Sequence, residues 1–389
     1  MDFMFTEEQK ELRRRVRKFA EEKLAPLAPE ADESEDISWD LVKLLADEGY
    51  LRLMVPKEYG GEGMVSCVNI CIVREEFTRI CSAANSIFTM QGLGTYPITL
   101  FGTEEQKRKY LPPIGNGEKL AAFALSEPEA GSDVANMKTT ALLDGNHYVL
   151  NGVKRWSSQG PAAEIYTVFA KTEPDKGSRG ISAFIVERGT PGFDPSQKMR
   201  LMAAHIVGEP RFDNCRIPKE NLLGEEGKGM RISLENLDMF RTTVGATAVG
   251  FAQRAYEEAM SHAKSRVVFG QPLSDFQATQ FKLADMATEI QAARLLVYWA
   301  AKLKDKGANW REVMKSASMA KLFASEVCHR VVDESLQIHG GSGLMKGMPI
   351  ERIYRLQRSI RIYEGASEIQ RLTIAREILR EDSEGKPRL

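Results

Sequence analysis

Thr139-Thr140-Ala141-Leu142-Leu143-Asp144-Gly145-Asn146-His147-Tyr148-Val149-Leu150 reads as two short apolar runs joined by a turn. Asp144-Gly145-Asn146 is a strong hairpin signal, because Gly and Asn tolerate the positive φ of a tight strand-to-strand turn. Further short runs of strand character flank it: Ala121-Ala122-Phe123-Ala124-Leu125, Tyr166-Thr167-Val168-Phe169-Ala170 and Ile181-Ser182-Ala183-Phe184-Ile185-Val186. Turns rather than helices separate these runs, which predicts a small antiparallel barrel or sandwich over residues 120–228.

On both sides the period lengthens to that of a helix. In residues 1–119, Leu12, Val16, Phe19 and Ala20 line one face of a first helix that Pro26 ends. A helix over 39–48 is closed by Gly49, a Gly-rich loop follows at 56–63, and 68–80 and 83–93 read as buried helices. Pro112-Pro113 closes this region. In residues 229–389 the long periodic segments 233–264, 276–304 and 310–338, with one more at the end, predict a four-helix bundle. The expected fold is mostly α with a β middle domain.

Length and composition narrow the class. A chain of 389 residues is enough for two or three domains. Its 53 basic and 54 acidic residues leave a net charge of −1, so no nucleic-acid surface is expected. Five cysteines, an odd number in a large chain, predict free thiols in a reducing compartment. Cys67 and Cys71 share a helix face but lack a second ligand pair, so no metal site is expected. The first twenty residues are crowded with charge and hold no apolar core of a secretory signal. No stretch approaches the ~18 apolar residues of a membrane span. These features predict a cytoplasmic protein.

The chemistry concentrates in a few segments. In Tyr363-Glu364-Gly365-Ala366-Ser367-Glu368-Ile369-Gln370-Arg371, Ser367 and Gln370 form a capping-box pattern, so a helix should start at about Ser367. Glu364 then stands outside the helix beside a glycine that allows a sharp bend. A carboxylate placed there is either a base or an ordinary surface residue. Phe123-Ala124-Leu125-Ser126-Glu127-Pro128-Glu129-Ala130-Gly131-Ser132-Asp133 leads a strand into a polar turn that suits the edge of a flat ligand, or is a plain loop. Asn151-Gly152-Val153-Lys154-Arg155-Trp156-Ser157-Ser158 places an indole beside two hydroxyls, equipment for an aromatic ring system unless Trp156 is a core residue. Arg266 and Gln277 flank a helix–helix connection through Gly270 and Pro272 and could bind phosphate or adenine. Gln337-Ile338-His339-Gly340-Gly341-Ser342-Gly343 is a Gly-rich turn after a helix, neither a P-loop nor a Rossmann fingerprint.

Together, and in this order along nearly the whole chain, these segments resemble the acyl-CoA dehydrogenase family of flavoenzymes. The resemblance implies FAD as cofactor, held between the β domain and the C-terminal bundle. Leu125, Ser126, Trp156 and Ser158 are then flavin contacts, with Ser158 at the N5 edge. Arg266, Phe269 and Gln277 reach the FAD of a neighbouring subunit, and Gln337 and Gly341 approach its adenine end. Ala366 and Glu368 join the cofactor set. A shared cofactor implies a homo-oligomer, commonly a tetramer. Glu364 matches the base that removes the α proton of an acyl-CoA thioester while a hydride leaves Cβ. The family's thioester oxygen is held by the main-chain N–H of that base and a ribityl hydroxyl. Ser132, Asp238, Arg241 and Gln91 are the implied substrate-side residues. Phe240 stands where some relatives carry an alternative base, which strengthens Glu364. Electrons pass in this family to an electron-transfer flavoprotein.

Two departures stand out. Most relatives have Trp-Ile-Thr where this chain has Trp156-Ser157-Ser158, which keeps the hydroxyl and loses packing. Ala203-Ala204-His205 replaces a usual glycine and serine pattern, a change that bears on the substrate more than on flavin binding. Gln91 is a polar residue in an apolar run and reads equally as a hydrogen-bonded core residue. An oxygen-using flavin oxidase or monooxygenase on the same fold, and a non-catalytic helical binding protein, are the competing readings. The acyl group is not legible in the sequence.

Overall fold

The computed structural model describes residues 5–384, which divide into two compact units. One comprises residues up to 32, 66–85 and those from 238 onward; the other comprises 33–65 and 86–237. Breaks in hydrophobic period instead cut the chain at 119/120 and 228/229.

The first unit is helical. Thr6 opens the helix Glu7–Phe19 through a reciprocal capping box with Gln9, which satisfies two of the orphan donors at the helix start. One π-helical turn, Ala20–Leu24, then carries the chain to Pro26. The helix Cys67–Ile80 is buried along most of its length, including Arg74, Glu75 and Glu76. Glu75 tolerates burial because Arg13 and Arg294 each reach it at 2.9 Å and the Tyr298 hydroxyl donates to it at 2.9 Å. The expected bundle is present: the C-terminal part of Gly229–Ser265, then Gln277–Asp305, Trp310–His339 and Ser367–Ser383, with the short Pro349–Gln357 in addition. Its helices approach closely at Gly245, where a Cβ would meet Val297 Cγ2 at 2.7 Å.

The second unit carries the β-structure. Its eight-stranded sheet runs in the order Leu222–Leu223, Ile181–Glu187, Ile165–Lys171, Thr140–Asp144, His147–Val153, Arg211–Pro218, Phe193–Asp194. The eighth strand, Ala121–Ala124, pairs parallel with Ile165–Lys171. The hairpin closes with Asp144 opposite His147, as its turn residues predict. A second sheet joins Ser157–Ser158, Val207–Gly208 and Lys198–Met199. Of the expected antiparallel barrel or sandwich, the open form is present: the strand order of the large sheet has two ends, and Ala121–Ala124 adds a parallel pairing to an otherwise mostly antiparallel sheet. The parallel pairing arises because the chain returns beside its first strand only after a long crossover. Pro112 and Pro113 do not end their region as expected but lie inside the helix Glu104–Gly115.

All five cysteines are buried free thiols. Among the described residues, no helix is long and apolar enough to cross a membrane.

Candidate active site

In the helical unit, the chain leaves the turn Arg358–Arg361 and enters a bend at Glu364 before the helix Ser367–Ser383. Glu364 has φ +52° and Gly365 has φ +97°. The left-handed region is natural for glycine and costs a glutamate strain, so something must hold it. Three side chains do. The Glu364 carbonyl accepts from Arg241 Nε and Gln370 Nε2, both at 3.2 Å. The Gly365 carbonyl accepts from Lys321 Nζ at 2.8 Å and Gln370 Nε2 at 2.9 Å. A Cβ on residue 365 would come within 2.4 Å of Gln370 Nε2, so any larger residue would push that amide off the clamp.

The helix begins at Ser367 as predicted, but not by a capping box. Its N-cap is Ala366, with no side-chain bond. Ser367 Oγ donates instead to Glu326 Oε1 at 2.6 Å, and Gln370 turns back to the two carbonyls of the bend. Of the two residues that look like a cap, Gln370 therefore builds the clamp and Ser367 ties the helix start to Glu326. Glu368 is exposed in the first helical turn.

Glu364 Oε2 is buried without a hydrogen-bond partner. Burial pushes the Glu364 carboxyl above the usual carboxylate range, against the pull of Arg74, Arg241 and Lys321. Arg74 is buried, with Nε donating to Asn85 Oδ1 at 3.1 Å, and burial lowers its pKa. Lys321 is fully buried and pushed down to about 8 by burial, with Glu364 pulling it back up. Asp238 pairs with Arg241 at 3.0 Å and so orients the guanidinium toward the bend. Phe240, next in the chain, is fully buried.

In the β unit, the strand Ala121–Ala124 and the segment through Ser157–Ser158 run side by side. The Arg155 N–H donates to the Ser126 carbonyl at 2.8 Å, and Ser157 Oγ to the Phe123 carbonyl at 3.2 Å. That bond explains the tolerated serine at 157: it is fully buried, with its hydroxyl satisfied. A buried ion pair ties the same two segments. Lys154 Nζ donates to Glu127 Oε1 at 2.8 Å and to the Leu125 carbonyl at 3.1 Å. Trp156 is no core residue: it is 52% exposed and held at φ +64°. Leu125 is buried, Ser126 half-buried and Ser132 exposed on its bend. Ser158 Oγ lies 2.8 Å from His205 Nε2.

Gln91 takes the structural alternative. It is fully buried, donates to the Lys119 carbonyl at 2.8 Å and accepts from the Ala121 N–H at 3.0 Å. Both ends of its amide are spent on the main chain, and it pins the start of the first strand.

Arg266 and Gln277 flank a two-stranded turn in which Phe269 has φ +49° and Gly270 φ +84°. Phe269 is 96% exposed. Gln337 and Gly341 are exposed at the end of Trp310–His339. The sequence reading missed Arg74, Lys321, Gln370, the Glu127–Lys154 pair and the Ser158–His205 contact. Charged residues inside apolar helical stretches, as at Val73-Arg74-Glu75 and Ala320-Lys321-Leu322, were the available signal.

A strained, clamped carboxylate whose proton affinity is raised, and elsewhere an exposed indole, are features that suit a flavoenzyme of the family the sequence resembles. Comparisons with known proteins agree. Family models for the acyl-CoA dehydrogenase N-terminal, middle and C-terminal domains match residues 6–118, 122–215 and 227–379. The chain is 44% identical over 377 residues to an acyl-CoA dehydrogenase of Bacillus subtilis (strain 168), covering 96% of this chain and 98% of the relative. It is also 44% identical over 384 residues to the acryloyl-CoA reductase (NADH) of Anaerotignum propionicum, covering 98% and 96%. The solved acyl-CoA dehydrogenase complexed with FAD from Bacillus anthracis superposes with a TM-score of 0.91 at 37% identity, covering 98% of this chain and 68% of that one. The chain belongs to the acyl-CoA dehydrogenase family. Its cofactor is FAD.

Proposed function

We propose that the chain dehydrogenates an acyl-CoA thioester to the 2-enoyl-CoA, with Glu364 as the base that takes the α proton. The observation that carries this reading is the Glu364 carboxylate itself. One of its oxygens is buried without a partner, on a bend that three side chains hold in a strained conformation. A base gains from a proton affinity shifted toward the operating pH and from a fixed aim; burial shifts the carboxyl in that direction, and the clamp fixes its aim. The main-chain N–H of Glu364 has no hydrogen-bond partner among the described residues, which leaves it to donate to a thioester oxygen as negative charge develops. Asp238 and Arg241 hold the bend and the substrate side of the site.

When bound, FAD supplies the hydride acceptor, its N5 atom. Leu125, Ser126, Trp156 and Ser158 would hold its ring system. Arg266, Phe269 and Gln277, with Gln337 and Gly341, would hold the nucleotide end of a neighbouring subunit's FAD. The bulky, exposed, positive-φ Phe269 supports this, since strain at an exposed aromatic residue is kept where a partner uses it. The assembly is then a homo-oligomer, a tetramer by family resemblance. Ala366 and Glu368 belong to the same cofactor set, and Ser132 to the acyl-CoA side. The electron acceptor is an electron-transfer flavoprotein, and the five buried thiols suit a reducing cytoplasm.

Replacing Glu364 by Gln should leave FAD bound and cut flavin reduction by acyl-CoA by about 10²–10⁴-fold. Near-normal anaerobic bleaching of the Glu364→Gln flavin would refute the assignment. The relative named as an acryloyl-CoA reductase favours a second reading, the same chemistry run toward saturation. A panel of acyl-CoA and enoyl-CoA thioesters, scored for flavin reduction and for reoxidation, separates the two directions. Air reoxidation of the reduced flavin tests the oxidase alternative.

A further inference from the structure

The two departures of this chain from the family pattern, Ser158 and His205, touch each other. In the small sheet Ser158 pairs with Val207 and Ser157 with Gly208, and the Gln159 N–H donates to the Ile206 carbonyl at 2.8 Å. His205 lies two residues before Val207, diagonal to Ser158, and diagonal neighbours lie within reach of long side chains. The imidazole spans that gap, with Nε2 2.8 Å from Ser158 Oγ.

We propose that His205 is a positioning residue: it fixes the rotamer of Ser158 and the direction of its hydroxyl proton, and so sets the hydrogen bond that Ser158 offers to the flavin. The proposal rests on the reading above that Ser158 faces the flavin edge. A threonine has a branched Cβ that narrows χ1, whereas a serine hydroxyl rotates among three wells. Where a serine replaces the usual threonine, the bond to His205 restores the missing restriction. Burial pushes the His205 pKa down to about 4, so the ring is neutral at physiological pH. A neutral imidazole has one donor and one acceptor nitrogen. If Nε2 accepts, Ser158 presents lone pairs to the ligand; if Nε2 donates, Ser158 keeps its proton free to give away. Either way the serine is committed rather than rotating.

The test uses purified holoenzyme of the wild type, Ser158→Ala, His205→Leu, His205→Gln and the Ser158→Ala/His205→Leu double variant. The readouts are the flavin absorbance spectrum, the FAD dissociation constant and the two-electron midpoint potential. A neutral hydrogen bond contributes ~0.5–1.5 kcal/mol, so His205→Leu should change the ratio of affinities for oxidised and reduced FAD by about threefold to tenfold. That ratio is a midpoint shift of about 15–30 mV for a two-electron couple. His205→Gln, which keeps a hydrogen-bonding head group, should recover most of it. In the Ser158→Ala background, His205→Leu should add nothing.

A Ser158→Ala shift with no shift in His205→Leu would overturn the positioning role while leaving the flavin-facing serine intact. No change on Ser158→Ala would overturn the flavin-facing reading and this proposal together. If the His205 variants do not fold, ¹⁵N-histidine spectra decide. Of the five imidazoles, one should shift its Nε2 resonance on Ser158→Ala, and five unchanged signals would overturn the contact.

Discussion

Glu364 sits where its charge is disfavoured, and this has a thermodynamic signature. Its folded pKa lies above the unfolded value, so the folded state binds more protons across the window between the two. Stability from this residue is therefore greatest below the unfolded carboxylate range and falls as pH rises through the raised pKa. Glu364→Gln, the variant expected to slow flavin reduction, should melt higher than the wild type at neutral pH. The difference should vanish near pH 4; a thermal-melt series in which it stays constant would remove burial as the cause. Gly365 is constrained from two directions, its φ of +97° and the 2.4 Å approach of Gln370. Gly365→Ala should lose roughly 1–3 kcal/mol of stability and most of its flavin reduction, read by urea titration and anaerobic bleaching. At this scale the sequence was half legible. The glycine beside Glu364 marked the bend. The family resemblance brought Arg241 to this part of the site, but nothing in the spelling of residues 74 and 321, far apart in the chain, said that two more cations would join it.

Whole elements were easier to read than what ties them together. The long helices and five of the strands followed from period and turn residues. Arg211–Pro218 did not, because a bulge between Phe212 and Cys215, with Asn214 at φ +49°, breaks the two-residue alternation halfway. Ser367 and Gln370 spelled a capping box, in which their side chains would accept from the main chain, but tertiary acceptors drew them into donating instead: Ser367 to Glu326 and Gln370 to the carbonyls of the bend. The Glu127–Lys154 pair links the turn after Ala121–Ala124 to the segment bearing Trp156, with both groups buried. Removing one partner strands the other charge, so Lys154→Met should cost about 3–5 kcal/mol in urea unfolding and loosen FAD. Glu127→Gln/Lys154→Met should recover part of the stability. A single variant as stable as the wild type would show that the pair is not what holds the segments.

For the whole molecule, the proposed sharing of FAD between subunits links cofactor retention to assembly. A ligand bound only by the oligomer stabilises it by mass action. Arg266→Ala should therefore raise FAD loss and subunit dissociation together, by gel filtration with and without added FAD. A monomer retaining FAD tightly would contradict it. This level was legible only by resemblance, because exposed residues such as Phe269 and Gln337 carry no periodic signal.

The exposed indole of Trp156 also makes the protein its own reporter. All four tryptophans are exposed: Trp39, Trp156, Trp299 and Trp310. Their emission in the isolated chain should already resemble that of indole in water, so unfolding will barely move its colour, and circular dichroism is the better probe of melting. An isoalloxazine lying on Trp156 would darken that one fluorophore by energy transfer. Titrating the apoprotein with FAD should quench part of the ultraviolet-excited emission. In Trp156→Phe the emission lost should be the part that had responded, giving an optical count of filled sites without any substrate.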